Sequence, residues 1–238
     1  MNKINTIIWG YLGFMGSIVC NLVKKDPHFE YVGGVAEDSY NFEYTNANVI
    51  IDFSAPNGTM QMLEFAVKEK IPAVIATTGF TVDQENKILE ASRIIPIFKS
   101  ANMSFEVALF KNILKQVTNK IGKDTDIEII ETHHNRKADS PSGTAKLLAE
   151  SINSALNEPR NIVYGRQGKR EKNEIGIASL RGGNIVGEHT VKFFNDFETL
   201  EIAHTAHSRE VFAAGSLKAA EFLITQSPGL YSMDDLFE

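Results

Sequence analysis

A chain of 238 residues with one cysteine, one tryptophan and seven prolines is poor in covalent staples and in helix breakers. The lone Cys20 excludes an internal disulfide. It stands beside Val19 and Leu22 on the apolar side of an expected helix, where a thiol reads as buried and inert. No apolar run is long enough to span a bilayer, and no basic stretch followed by an apolar one opens the sequence. A cytoplasmic protein with no membrane partner is the expectation. Positive charge is also short, with 24 Lys and Arg against 30 Asp and Glu and a net charge of -6. A nucleic-acid surface needs clustered cations. The one basic run, at Lys169 and Arg170, is flanked by acids and reads as a solvated loop, so no nucleic-acid partner is expected.

The apolar residues make up 43% of the chain and the charged ones 23%, the balance of a globular protein able to build a core without metal or disulfide. Its length suits one large or two modest domains. Along the first hundred residues, short β-rich runs alternate with helical periodicity. Strands are expected at Ile4 to Trp9, Tyr31 to Ala36, Asn48 to Phe53, Ala73 to Ala76 and Ile94 to Phe98. Helices are expected at Gly13 to Lys24, Pro56 to Lys68 and Val82 to Ser92. Parallel strands need long crossovers, so this alternation implies a Rossmann-like, doubly wound α/β sheet. Glu37 to Ala47 is too short for a crossover helix, and an abbreviated turn is expected there. A helix from Phe105 to Ile121 follows, then a strand at Asp126 to Thr132 and a helix at Pro141 to Leu156. Ile175 to Ala206 alternates strongly about a turn at Gly182 and Gly183, which suggests a mostly antiparallel sheet. A last helix spans Arg209 to Ile224. Two domains fit best, with a boundary near Asn102 to Phe105.

Gly10, Tyr11, Leu12, Gly13, Phe14, Met15 and Gly16 lie between the first strand and the first helix. Glycines there permit a tight turn and let a pyrophosphate approach the backbone, and the helix start offers N–H groups and a positive dipole end. The spacing G-x-x-G-x-x-G is less diagnostic than G-x-G-x-x-G, and an ordinary βα turn is the alternative. At the end of the second strand Glu37 is placed to bind the adenosine ribose hydroxyls. Asp38 beside it reads more simply as an exposed acid. No Arg or Lys follows them to pair a 2′-phosphate, so NADH is the expected cofactor over NADPH. Ala76, Thr77 and Thr78 follow the fourth strand, and Ser100, Ala101, Asn102 and Met103 the fifth. Both segments sit where a doubly wound sheet builds its ligand crevice, although Asn102 could equally cap the next helix.

The most informative stretch runs from Glu131 to Ala145. His133 and His134 end a strand and point opposite ways, so they should do different work. A histidine is the usual proton shuttle near neutral pH, and Lys137 adds a cation and a possible acid. Ser142, Gly143 and Thr144 occupy the start of a helix, where N–H groups suit a carboxylate. A zinc site from the histidines, Glu131 and Asp139 fits no familiar ligand spacing. A plain loop followed by a helix start is the other reading.

This stretch resembles the signature E-x-H-H-x-x-K-x-D-x-P-S-G-T-A of the 4-hydroxy-tetrahydrodipicolinate (dihydrodipicolinate) reductase family. The resemblance extends to the loop at Gly10, to Thr77-Thr78-Gly79-Phe80, to the turn at Ser100, to Arg181 through Thr190, and to Ser208-Arg209. It implies hydride transfer from a reduced nicotinamide to a cyclic, unsaturated dicarboxylate, giving tetrahydrodipicolinate. Carried over by position, His133 becomes a proton donor or acceptor, Lys137 a proton donor, and His134, Gly143 and Thr144 substrate ligands. It also implies that the last helix returns to the nucleotide domain, giving 1–104 with 210–238 for the cofactor. Residues 105–209 are left for substrate binding and for assembly of a homotetramer. Phe14 stands where the family often has arginine, Ser100 where it has alanine, and Met103 where it has phenylalanine. A dianionic ring needs donors on both sides, and Ser142 to Thr144, Lys137 and Arg209 can supply them. Oriented face to face across a domain cleft, ring and nicotinamide would react in a nearly unimolecular step. A nicotinamide-binding sensor without turnover, or a dehydrogenase of another small polar substrate, are the rival readings.

Overall fold

The computed structural model describes residues 3–36, 39–42 and 46–237, with only the backbone described for 39–42. The chain folds as two compact units, Met1–Phe105 with Glu210–Glu238, and Glu106–Arg209.

The first unit is built on a seven-stranded sheet. Its strands are β1 (Ile4–Trp9), β2 (Phe29–Ala36), β3 (Ser39–Phe42), β4 (Val49–Asp52), β5 (Ala73–Ile75), β6 (Pro96–Lys99) and β12 (Gly229–Tyr231), in the order β12-β6-β5-β4-β1-β2-β3. Every ladder is parallel except β2 with β3. Helices α1 (Phe14–Lys25) and α6 (Glu210–Leu223) cover one face, and α2 (Pro56–Glu69) and α3 (Val82–Ser92) the other. Apolar residues on both faces of the strands explain this layering, because a parallel sheet must be covered twice. Ile7, Trp9, Ile50, Ala73, Ile75 and Ile97 meet Met62, Leu63, Ala66, Ile88 and Ala91 in one core. A capping box, in which Thr81 and Gln84 exchange hydrogen bonds, starts α3 where the periodicity placed it.

The chain between β2 and β4 is not only a turn. Ser39–Phe42 pairs antiparallel with β2 and closes that edge, which four residues can do without any crossover. The expectation of an abbreviated turn is corrected to that extent. Glu37 and Asp38 lie outside the described residues.

The second unit holds α4 (Phe105–Ile121, whose first residue belongs to the first unit), β7 (Asp126–His133), α5 (Gly143–Ala155), β8 (Asn161–Tyr164), β9 (Glu174–Arg181), β10 (Gly187–Phe194) and β11 (Thr199–Ala206). The sheet order is β11-β10-β7-β9-β8. It is mixed, for β10 runs antiparallel to β11 and β7, while β9 runs parallel to β7 and β8. The alternation of residues 175–206 expressed one buried face and could not fix strand direction. The segment from β9 to β11 forms two reversals, and it is β9, reached from β7 through α5 and β8, that lies parallel to β7. Phe110 and Leu114 of α4, with Ala145, Leu148, Ala149 and Ile152 of α5, cover one face over Ile127, Ile129, Ile175, Ile177, Val191 and Phe193. Each wholly enclosed Leu, Ile or Phe here contributes about 2 kcal/mol of transfer free energy.

Candidate active site

In the first unit, the parallel strands β1, β2, β4, β5 and β6 all end at one edge of the sheet. That edge gathers the Gly10 loop, Phe53 and Ser54, Ala76 to Gly79, and Ser100 to Met103. Gly10 has φ +83°, and a Cβ there would stand 2.7 Å from the Phe53 carbonyl oxygen and 2.9 Å from Ser54 Cα. A Cβ on Gly16 would drive into the Gly10 carbonyl. These two glycines therefore let β1, β4 and α1 approach closely enough to leave a backbone-lined turn. No side chain caps α1 at Gly13, so its positive dipole end suits an outside anion such as a pyrophosphate. Leu12 and Phe14 project outward, each 65% exposed.

Asp52, fully buried at the end of β4, ties this edge together. It accepts from Ser54 N–H (2.9 Å) and from the hydroxyls of Ser54, Thr59 (2.5 Å) and Thr77 (3.0 Å). Burial pushes its carboxyl up, against the pull of these four donors. The Thr77 hydroxyl is thus engaged with Asp52, while Thr78 is exposed. Ser100 donates to the Asn102 carbonyl, and Asn102 Oδ1 accepts from Ser104 N–H just ahead of α4. The Asn102 amide oxygen therefore does local turn work. Met103 is 2% exposed and faces the interior. Asp52 had a visible signal, an acid closing the apolar run Val49-Ile50-Ile51 with hydroxyl residues after it, but sequence reasoning did not single it out.

In the second unit, side chains at alternate positions of β7 are buried, which carries Glu131 and His133 to the covered face, while His134, just past the strand, is half-buried. The Glu131 carboxylate is wholly buried. It accepts from His133 Nδ1 at 2.5 Å, from both terminal nitrogens of Arg181 at 2.8 and 2.9 Å, and from Ser142 N–H at 3.1 Å. Burial alone would raise its pKa, but the donors from Arg181, Ser179, His133 and the Ser142 backbone outweigh it and bring the value to about 2. Arg181 and His133 are register partners on β9 and β7, which is why the guanidinium reaches this carboxylate. His189, opposite Glu131 on β10, stacks edge-on to His133 at 5.2 Å and lies 3.1 Å from the Ser142 hydroxyl. Burial, then the neighbouring His133, pushes the His189 pKa down to about 4, so it is neutral near pH 7. Sequence reasoning gave no role to Glu131, Arg181 or His189, although each falls in a matched segment. Only the sheet register brings them together.

Ser142 is the N-cap of α5, its hydroxyl accepting from Ala145 N–H. Pro141 stands before the helix, not in its first turn. With its N–H on Glu131 and its hydroxyl on Ala145 and His189, Ser142 has spent its polar groups inside the protein. The helix start therefore presents Gly143 and Thr144 outward, where the helix itself offers their N–H groups no acceptor. His134 lies 3.4 Å from Arg209 through Nε2, and Lys137 rests on Asp139 at 2.7 Å. Partial burial, then the nearby Arg136 and Arg209, hold His134 below the usual histidine value. Arg136, Lys137, Arg209 and the start of α5 thus concentrate positive potential on an otherwise acidic protein. Among the described residues, no group of three His, Cys, Asp or Glu could hold a metal ion, and no helix is long and apolar enough to cross a membrane.

This arrangement can hold a carboxylate and move a proton beside it. Residues 4–103 match the family described as dihydrodipicolinate reductase, N-terminus, and residues 106–237 its C-terminus. The chain is 46% identical over 236 residues to a 4-hydroxy-tetrahydrodipicolinate reductase of Alkaliphilus oremlandii (strain OhILAs), covering 97% of each. It is 46% identical over 246 residues to one of Caldanaerobacter subterraneus subsp. tengcongensis, covering 98% of each. Among solved structures, a dipicolinate-bound dihydrodipicolinate reductase from Paenisporosarcina sp. TG-14 has a TM-score of 0.78, at 20% identity, over 98% of this chain and 99% of that one. That likeness shows the fold.

Proposed function

The chain belongs to the dihydrodipicolinate reductase family, and we infer that it reduces the cyclic dicarboxylate 4-hydroxy-tetrahydrodipicolinate to tetrahydrodipicolinate in the diaminopimelate route to lysine. Overall the ring gains one hydride and one proton and loses its hydroxyl as water. A bound nicotinamide supplies the hydride. The observation that carries the assignment of residues is the gathering of Arg136, Lys137 and Arg209 around His134, with the buried His133–Glu131 pair joined to the start of α5 through Ser142.

Gly143 and Thr144 receive one carboxylate on the helix start, and the Arg209 guanidinium, with His134 packed beside it, meets the other. Lys137 is held by Asp139 and takes the role of proton donor, and His133 that of proton donor or acceptor. Gly10 to Met15 form the pyrophosphate turn, and Ala76 to Thr78 with Ser100 to Met103 line the nicotinamide end. Thr77, Asn102 and Met103 act there through backbone and shape, since the first two bond within the protein and the Met103 side chain is buried. NADH is the preferred cofactor, because Glu37 and Asp38 would repel a 2′-phosphate and no cation follows them. A homotetramer forms through the uncovered face of the second unit's sheet, where Leu180 is 50% and Phe194 37% exposed.

The test follows nicotinamide oxidation as enzymatically generated 4-hydroxy-tetrahydrodipicolinate is supplied. Oxidation that depends on this substrate, and that dipicolinate inhibits, is expected. Cofactor binding without oxidation would make the chain a sensor, and oxidation with a different polar substrate alone would reassign it.

A further inference from the structure

We propose that Glu131, clamped by Arg181, is the positioning residue that fixes the proton of His133 on Nδ1 and leaves Nε2, facing Gly187, as the nitrogen that exchanges protons with substrate. This rests on the assignment of His133 to proton transfer made above.

An ionised carboxylate only accepts hydrogen bonds. Glu131 is ionised, because two guanidinium N–H groups, one backbone N–H and one imidazole nitrogen converge on it with no exposed surface. His133 Nδ1, 2.5 Å from Oε2, must therefore be the donor, and the tautomer follows. Nε2 has no hydrogen-bond partner among the described residues. A Cβ on Gly187 would stand 3.1 Å from Nε2 and 3.4 Å from Cδ2, so the glycine keeps that side of the ring clear. Gly187 has no positive φ, so space around the ring, and not backbone conformation, is what demands glycine there.

The same carboxylate sets the other parts of the site. Its bond to Ser142 N–H anchors the start of α5, the proposed carboxylate seat. Arg181 carries the arrangement onward by donating to the Asp139 carbonyl at 2.7 Å, and the Asp139 side chain holds Lys137. One buried ion pair thus sets the mutual spacing of His133, the α5 start and Lys137. An ion pair left buried at a desolvation cost fits a role in geometry better than one in stability. Proton transfer moves a single proton between Nε2 and the substrate, with Nδ1–H bonded to Glu131 throughout.

The experiment is a double-mutant cycle on the full chain with Glu131→Gln and His133→Gln, reading kcat and both KM values. Glutamine keeps the shape but can turn an N–H toward Nδ1. Glu131→Gln is expected to lower kcat at least about tenfold, with the KM for the cofactor within twofold. In the His133→Gln background Glu131→Gln should cost less kcat than it does in the wild type, because the share that acts through His133 is already gone and only that through the α5 start and Lys137 remains. Gly187→Ala, which crowds Nε2 without touching the carboxylate, should also lower kcat and be non-additive with His133→Gln. Nitrogen-15 imidazole spectra of the wild-type chain should show His133 protonated at Nδ1. If Glu131→Gln does not fold, Gly187→Ala and the spectra decide. Wild-type kcat in Glu131→Gln or Gly187→Ala, additive losses, or a neutral His133 protonated at Nε2 alone would overturn the proposal. Wild-type kcat in His133→Gln would instead overturn the assignment on which it rests.

Discussion

Gly10 and Gly79 have nearly the same backbone conformation, φ +83° and +87°, in very different surroundings. An alanine Cβ at Gly79 meets nothing within 4 Å, whereas at Gly10 it falls 2.7 Å from the Phe53 carbonyl oxygen and 2.9 Å from two backbone carbons. Both substitutions carry the left-handed penalty of a residue with a Cβ, about 1–2 kcal/mol. Only Gly10→Ala adds an overlap with backbone, which cannot swing away as a side chain can. Overpacking of this kind costs about 1–3 kcal/mol more, so Gly10→Ala should lose about 2–5 kcal/mol. Urea unfolding of the two variants and the wild type measures the difference directly. Relief by backbone displacement would widen the β1–α1 turn, so Gly10→Ala should also weaken NADH binding at least about tenfold, near 1.4 kcal/mol. Equal destabilisation by the two alanines would refute the close approach of β1 to β4 at Phe53. Unchanged NADH affinity in a destabilised Gly10→Ala would separate this turn from the cofactor.

Acid should weaken the second unit in two overlapping windows. Folded His189 stays neutral down to about 4 while the unfolded chain takes its proton near 6.5, so stability falls as pH drops through that range, by up to about 3 kcal/mol. Folded Glu131 stays ionised down to about 2 against 4.5 when unfolded, which removes a similar amount between those values. Urea midpoints across this range should fall steadily, and His189→Gln should flatten the upper window. Asp52→Ala leaves the Ser54, Thr59 and Thr77 hydroxyls facing an empty acceptor and should cost about 3 kcal/mol or more in unfolding assays. Steady-state comparison of the two cofactors should favour NADH; equal or better efficiency with NADPH would remove the repulsion assigned to Glu37 and Asp38.

Helices α3 and α4 were legible to the residue, because amphipathic periodicity is local. The parallel sheet was legible too, since strand–helix alternation leaves little choice of direction. What escaped was decided by partners distant in sequence. Ser39–Phe42 is a strand only because the edge of β2 is open beside it. Strand direction around β9 depends on where the chain returns to the sheet after β7 and α5, which alternation cannot encode. At the site, the histidine pair, Lys137 and the start of α5 form one continuous segment and could be read from it. Arg181 reaches Glu131 across 50 residues, and His189 reaches Ser142 across 47. Ser142 illustrates the limit in the other direction. Its place at a helix start was legible, but not that Glu131, Ala145 and His189 would use up its polar groups.

Hydride transfer from the nicotinamide, with His133 and Lys137 handling the proton, is the central chemical step. Single-turnover reaction with a reduced nicotinamide deuterated at its transferable position should place one deuterium in tetrahydrodipicolinate. In His133→Gln and Lys137→Ala the same transfer should slow by about 100-fold or more, with cofactor affinity unchanged. An unlabelled product, or wild-type transfer rates in both variants, would contradict it.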